Sequence, residues 1–324
     1  MAEPRAQQPL RTTFWRLVAL AAAVGCVPTV LALGARRWWV LELAAHFRVY
    51  YAAGLAACAA LLAAGRRLRL ALLPALFAAW NAALVAPRYA GRPPARGAGP
   101  RLRLLSANVA TANRQHRRFL DAVAREEPDL VLVMEVNAAW AAALQPLREA
   151  YPHVIERVRE DNFGIAFYSR LPVERLLVRR LGGSGVPAVV ARLSLEGTAL
   201  TVLGVHTLPP VSRRYARTRN AQLADAAALA AGRQGPVVLV GDLNATPWSP
   251  HFADLLRRSG LRDTARGYGV QPTWRPLPLL ALPIDHLLAS EEVAVLDRRV
   301  LPPVGSDHRP LVADLGLEAP SAAP

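Results

Sequence analysis

The sequence predicts an α/β fold of two packed sheets with helices outside them, preceded by three transmembrane helices. Three observations carry that prediction. Three long, nearly uncharged apolar runs fill the first 86 of the 324 residues. From residue 101 onward, eight short apolar runs have strand character. Only four helical patterns lie between them, too few for a doubly wound sheet in which strands and helices alternate.

The membrane region, 1–86, has apolar runs at 17–33, 49–65 and 70–86. Each has about 17 residues, the lower limit for crossing a hydrocarbon core of about 30 Å. Arginines bound the runs, and Phe14, Trp15, Trp38, Trp39, Tyr50, Tyr51 and Tyr89 crowd their edges, as in interfacial belts. The first run also has the length of a signal peptide's apolar segment, but two further runs follow it, which favours an anchor. Arginine counts on the two sides are too even to set the orientation. Residues 87–100, rich in Pro, Gly and Arg, read as a linker without packing potential. A mixed α/β domain is expected over 101–316, with a disordered tail at 317–324. Its strands are expected at 102–107, 130–134, 164–168, 188–195, 200–205, 237–240, 284–289 and 311–315. Helical patterns occupy 116–125, 138–147, 215–231 and 251–258.

The formal net charge of +15 suggests a nucleic-acid partner until its distribution is read. All 39 basic residues are arginine; residues 1–103 hold 14 of them against Glu3 and Glu42, whereas 104–324 hold 25 against 22 acids. The excess therefore flanks the apolar runs, where arginine sits at headgroup level. Cys26 and Cys58 both fall within apolar runs, so neither a disulfide framework nor a zinc site can be built.

Chemistry concentrates at strand ends. The run Gly241-Asp242-Leu243-Asn244-Ala245-Thr246-Pro247-Trp248 follows the apolar stretch 236–240. Its glycine permits a tight turn, so that an acid and an amide emerge together. Asp242 is placed to orient or deprotonate a water, and Asn244 to donate an N–H to a phosphoryl oxygen without titrating. Asn108 and Glu135 end two other strands and offer hard oxygen ligands suited to Mg²⁺ or Mn²⁺. His206 ends a further strand, Asp285-His286 opens another, and Asp307-His308 precedes the last. An Asp or Asn at one strand end is ordinarily a turn former. Six such clusters beside six apolar strands are not independent turns. Asp285 and His286 alternate in direction within a strand, so His286 is expected to support the site from behind.

In this order, Asn108, Glu135, His206, the Gly241–Ser249 run, Ile284-Asp285-His286 and Gly305–Pro310 resemble the signature blocks of the endonuclease/exonuclease/phosphatase superfamily. The resemblance covers about 101–316. It implies a four-layer sandwich of two mixed sheets flanked by helices, and metal-dependent phosphoester hydrolysis. By the same resemblance Glu135 is the main metal ligand, with Asn108 near the metal and phosphate and Asp307 as a second metal-side carboxylate. Asp242 activates the attacking water, Asn244 binds phosphate, His308 oriented by Asp285 acts at the scissile phosphate, and His206 is the second histidine there.

With its membrane region, the chain is most similar to membrane-anchored bacterial members of that superfamily, including teicoplanin-resistance (VanJ-like) proteins. This implies a multi-pass protein of the cell membrane with an extracytoplasmic catalytic domain, acting on a lipid-linked (pyro)phosphate such as undecaprenyl pyrophosphate. Its partners are then the bilayer and a phosphorylated lipid, and Arg213, Arg214, Arg217 and Arg219 are placed to receive a headgroup or second phosphate. The alternative is a membrane-tethered Mg²⁺-dependent endonuclease, against which the small charge excess of the catalytic domain weighs.

Overall fold

The computed structural model describes residues 7–91 and 99–317, in two compact units. The first comprises residues 1–87 together with Trp248–Pro250. It contains helices α1 (Gln7–Leu31), α2 (Trp39–Ala45), α3 (Arg48–Ala64) and α4 (Leu68–Val85). Two helical stretches, Thr12–Gly34 and Leu68–Arg88, are long and apolar enough to cross a membrane. The expected middle span departs from a straight rod: α2 and α3 meet at a bend of 60° and reach membrane length only as a pair. The bend falls at His46-Phe47, where the α2 ladder ends before α3 begins. Inside the unit, Arg48 donates to Asn81 Oδ1 at 3.0 Å and Asn81 donates to Thr29 Oγ1 at 2.8 Å. That chain gives three buried polar side chains partners within an apolar bundle.

The second unit comprises 88–247 and 251–324. In chain order it holds β1 (Arg101–Asn108), α5 (His116–Glu126), β2 (Leu130–Met134), α6 (Ala138–Ala143), α7 (Leu147–Ala150), β3 (His153–Arg157), β4 (Ile165–Ser169), β5 (Val173–Arg180), β6 (Pro187–Leu195), β7 (Thr198–Gly204) and α8 (Arg213–Ala231). There follow β8 (Val237–Asp242), α9 (Pro250–Ser259), β9 (Arg262–Asp263), β10 (Trp274–Leu277), β11 (Leu280–Leu282), β12 (Asp285–Ala289), β13 (Val293–Val300) and β14 (Leu311–Leu317). One six-stranded sheet runs β13-β14-β1-β2-β4-β3 and the other β5-β6-β7-β8-β12-β9. Both are mixed, with the pairs β1–β2 and β7–β8 parallel.

Strand alternation builds the layers. Leu102 and Leu104 of β1, Leu130, Leu132 and Met134 of β2, Leu200 and Val202 of β7, Val238 and Val240 of β8, and Leu287 of β12 share one core between the sheets. The intervening residues face outward. Leu105, Ala107, Val131 and Val133 meet Phe119 of α5 and Trp140 of α6. Leu239, Val237 and Leu288 meet Leu223 of α8 and Phe252 of α9. The order is helix, sheet, sheet, helix.

Two expectations are corrected at the edges of this unit. Arg88, read as part of an unpacked linker at 87–100, is anchored: it pairs with buried Asp263, and its carbonyl accepts from the N–H groups of Gly267 and Gly269 at 2.9 and 2.7 Å. Leu317, assigned to the tail, is buried as the last residue of β14. The rest of the expected tail, 318–324, and linker residues 92–98 lie outside the described residues.

Candidate active site

The site lies where inward-facing rows of both sheets run out. Counting by twos along β1, Leu102 and Leu104 lead to Asn108; along β7, Leu200 and Val202 lead through Gly204 to His206. Along β8, Val238 and Val240 lead to Asp242, and on β12 the row through Ala289 and Leu287 ends at Asp285. Asp242 and Asp285 are register partners. The pleat that buries the leucines and valines therefore aims four polar side chains into one seam.

Glu135 enters by a different device. It follows Met134, an inward residue, and in a regular strand would face away. Its φ of 65° puts it in the left-handed region, and it lines the cavity instead. Asn244, at φ 45°, makes the corresponding turn after β8. Between them, Gly241 has φ 138°, and a Cβ there would lie 2.0 Å from the Val205 carbonyl oxygen. Only glycine fits that crossing.

The cavity is about 370 Å³, and Glu135, His206, Asp242, Asn244, Asp307 and His308 are among its lining residues. Asn108 Nδ2 donates to Glu135 Oε1 at 2.9 Å and to Asp242 Oδ2 at 3.3 Å, and its Oδ1 accepts from the Ala110 N–H. As placed, Asn108 is a donor linking two carboxylates, which leaves Glu135 as the oxygen ligand of that pair. Glu135 Oε2 accepts from the Thr111 N–H at 3.0 Å. Asp242 Oδ1 accepts from the Asn244 N–H at 2.9 Å. The Asn244 amide gives one hydrogen to the Thr207 carbonyl at 2.8 Å, which fixes the plane of a group that carries two.

The two histidines are tuned in opposite directions. His308 Nδ1 contacts Asp285 Oδ2 at 2.8 Å, and its Nε2 lies 3.8 Å from Asp242. Burial alone disfavours the His308 cation, but Asp285, Asp242 and Asp307 outweigh it and hold its pKa up at about 10. Burial would also raise Asp285, yet His308 and a hydrogen bond with Thr273 bring it below the ordinary carboxylate value. His206, 3.7 Å from Asp242, is buried against Phe163 and pushed down to about 4 by desolvation. Among the described residues its Nδ1 has no partner. Desolvation and the neighbouring Asp285 raise Asp242 to about 7.

The remaining expected residues fall elsewhere. Asp307 is on the rim, its carboxylate accepting from the Trp274 indole at 2.8 Å. His286 stands behind the site, as expected, with Nε2 2.8 Å from the Ala245 carbonyl and its ring against Phe252. Arg219 requires a correction. Its guanidinium is buried and donates to the Asn244 carbonyl at 2.8 Å, so it holds the Asn244 turn from beneath and is not open to a headgroup. It sits on the inner side of α8, one turn from buried Ala216 and Leu223, whereas Arg213, Arg214 and Arg217 are exposed. Sequence reasoning passed over Asn162, Phe163 and Trp274, which also line the cavity. Trp274 stands in a proline-rich stretch, and an indole among prolines was the one available signal.

The donor set fits a divalent cation. Glu135, Asp242 and Asp307 border one cavity with Asp285 behind them, and burial and the neighbouring Asp285 make Asp242 resist ionising, a cost that a cation beside it would relieve. Asp242, Asp285 and His308 also bring three ligand atoms within 4.8 Å of one another. In that trio His308 Nδ1 is already engaged by Asp285, so the oxygens are the ligands of choice for a hard ion.

Similarity to known proteins agrees with this geometry. No curated protein sequence matches the chain. Among solved structures, an endonuclease/exonuclease/phosphatase from Beutenbergia cavernae superposes with a TM-score of 0.57 at 22% identity, covering 69% of this chain and 73% of that one. D. rerio TDP2, complexed with single strand DNA product, gives 0.57 at 16% identity over 67% of this chain and 99% of that one. The human Nocturnin catalytic domain, with bound sulfate, gives 0.54 at 19% identity over 70% and 100%. At these identities the likeness is one of fold. The sequence profile of the Endonuclease/Exonuclease/phosphatase family matches residues 78–308, well over half the chain. The chain therefore belongs to the endonuclease/exonuclease/phosphatase family of phosphate-ester hydrolases.

Proposed function

We propose that this protein is a membrane-anchored, divalent-metal-dependent phosphatase acting on a lipid-linked (pyro)phosphate such as undecaprenyl pyrophosphate. The observation that carries the reading is that a single chain holds a phosphoesterase pocket and apolar helices of membrane length. On this reading the bent pair counts as one span, giving three, and the catalytic unit faces outward, as in the teicoplanin-resistance proteins it resembles. The near balance of charge in residues 104–324 supports a discrete phosphate over a nucleic-acid backbone.

A Mg²⁺ or Mn²⁺ ion held by Glu135 with Asp307 would neutralise charge on the phosphoryl oxygens. The chain's own residues supply the rest. Asp242, ionised, orients a water and takes its proton. Asn244 donates its second amide hydrogen to a non-bridging oxygen, in a plane fixed by Thr207. His308 stays cationic at neutral pH and donates from Nε2, while Asp285 holds its ring. His206 stays neutral and adds no charge beside Asp242.

The test is phosphate release from undecaprenyl pyrophosphate by the purified full-length protein in detergent with Mg²⁺. Release that disappears in Glu135→Gln supports the reading. No release, together with plasmid nicking lost in Glu135→Gln, would establish a nuclease instead. The fold shared with TDP2, seen with single strand DNA product, keeps that second reading in play.

A further inference from the structure

Beyond Asp307 the catalytic cavity has a neighbour. A second open cavity of about 350 Å³ shares Asp307 as a wall and is lined by Arg275, Pro276, Leu277, Pro278, Ser306 and Arg309 among others. No arginine lines the catalytic cavity; this one has two. Neither is spent on an acid. Among the described residues no ion pair involves Arg275 or Arg309, and the buried Nε of Arg309 has no hydrogen-bond partner. Arg275 reaches only the Pro278 carbonyl of its own hairpin, at 3.4 Å. The local acid, Asp307, has its carboxylate engaged by the Trp274 indole.

The backbone holds both arginines beside the site. The Arg275 N–H donates to the Asp307 carbonyl at 2.7 Å, and the Arg309 N–H donates to the Thr273 carbonyl at 2.8 Å. Each arginine is thus stapled to the segment that carries the other. Arg309 directly follows His308, which lines the catalytic cavity. The far wall is apolar, formed by Pro276, Leu277 and Pro278, with Leu277 61% exposed; Leu279, just outside the lining at the hairpin turn, is 90% exposed.

We propose that this cavity is a subsite for a second anionic group of the substrate, the non-scissile phosphate of a diphosphate ester. A guanidinium is the side chain suited to phosphate oxygens, since its donors are fixed in a plane and it stays charged. An unpartnered buried Nε beside an exposed guanidinium makes a site that an anion completes. The leucines on its outer side suit the apolar chain of the same ligand. This assignment rests on the lipid-diphosphate reading above and narrows it from phosphate esters to diphosphates.

The experiment measures affinity by calorimetry, with full-length protein, Mg²⁺, and the non-hydrolysable probes methylenediphosphonate and methylphosphonate. The wild type is expected to prefer the diphosphonate by about 10-fold or more, as one or two charge-assisted contacts allow. In Arg275→Ala and in Arg309→Gln the ratio should fall to between about one and three. Arg179→Ala, at an exposed side chain of the edge strand β5, should leave it unchanged. A ratio near one in the wild type, or a high ratio that survives both substitutions, overturns the subsite. If Arg309→Gln fails to fold, Arg275→Ala, at an exposed side chain, decides alone. Should the ratio behave as expected while no polyprenyl diphosphate is hydrolysed, the subsite stands and the lipid reading falls.

Discussion

At the scale of single residues, the site separates two histidines by their surroundings alone. His308 owes its charge to Asp285, so Asp285→Asn should let burial win and drop the His308 pKa from about 10 to below its ordinary value. The alkaline limb of kcat/KM, expected near 10 in the parent, should move below about 7 in that variant. Stability carries the same sign. The folded state binds the His308 proton more tightly than the unfolded chain does. Its contribution is therefore complete below about 6.5 and lost as pH rises through about 10. Denaturant titrations across that window should show a decline that His308→Ala lacks. For Asn244, replacement by Ala should cost about 10²- to 10³-fold in kcat, the scale of one lost oxyanion donor. Most of these positions were legible because acids, amides and histidines stood after apolar runs. Arg219 misled because its burial depends on which side of α8 meets the sheet, and one exposed and one buried arginine look alike in sequence.

At the scale of elements, every central strand was legible and every edge strand was not. The four edges, β3, β13, β5 and β9, were all missed. Their sequences explain it: Val173–Arg180 has four arginine or glutamate positions in eight, and Val293–Val300 ends in Asp297-Arg298-Arg299-Val300. Edge strands carry charge that discourages further pairing, and that charge erases the apolar run by which a strand is read. The hairpin β10–β11 was missed for its prolines, which break the pattern while Trp274 and Leu282 still pair. The turn after β8 makes its own demand. Gly241→Ala should force the Val205 carbonyl aside and cost several kcal/mol, more than the ~1 kcal/mol typical of a point substitution. A large fall in Tm, with loss of activity, is the expected outcome.

At the scale of the whole molecule, the proposed metal would tie folding to a cation through the acids around the cavity. Asp242 ionises at about 7 in the fold against about 3.8 outside it, so the metal-free protein loses stability as pH rises between those values. A bound cation reverses this. Mg²⁺ should therefore raise Tm more at pH 8 than at pH 5.5, and chelation should lower it more at pH 8. In Asp242→Asn that pH dependence should vanish. The arginine excess lies on the membrane side of the sequence, in the first 103 residues, which the even distribution in the catalytic unit does not share. Total net charge hid this.

The seam itself has a consequence for how such a protein tolerates change. Asn108, His206, Asp242 and Asp285 each stand in phase with a buried row. Deleting one residue inside β1, β7 or β8 would invert that phase, turning the polar terminus toward the helices and the core row with it. Function and folding are thus locked to one pleat, and length variation should be confined to the segments between strands. The hairpin Trp274–Leu282, outside both large sheets, is free of that lock. On the subsite proposed above, it is where a change of substrate would be written without rewriting the core.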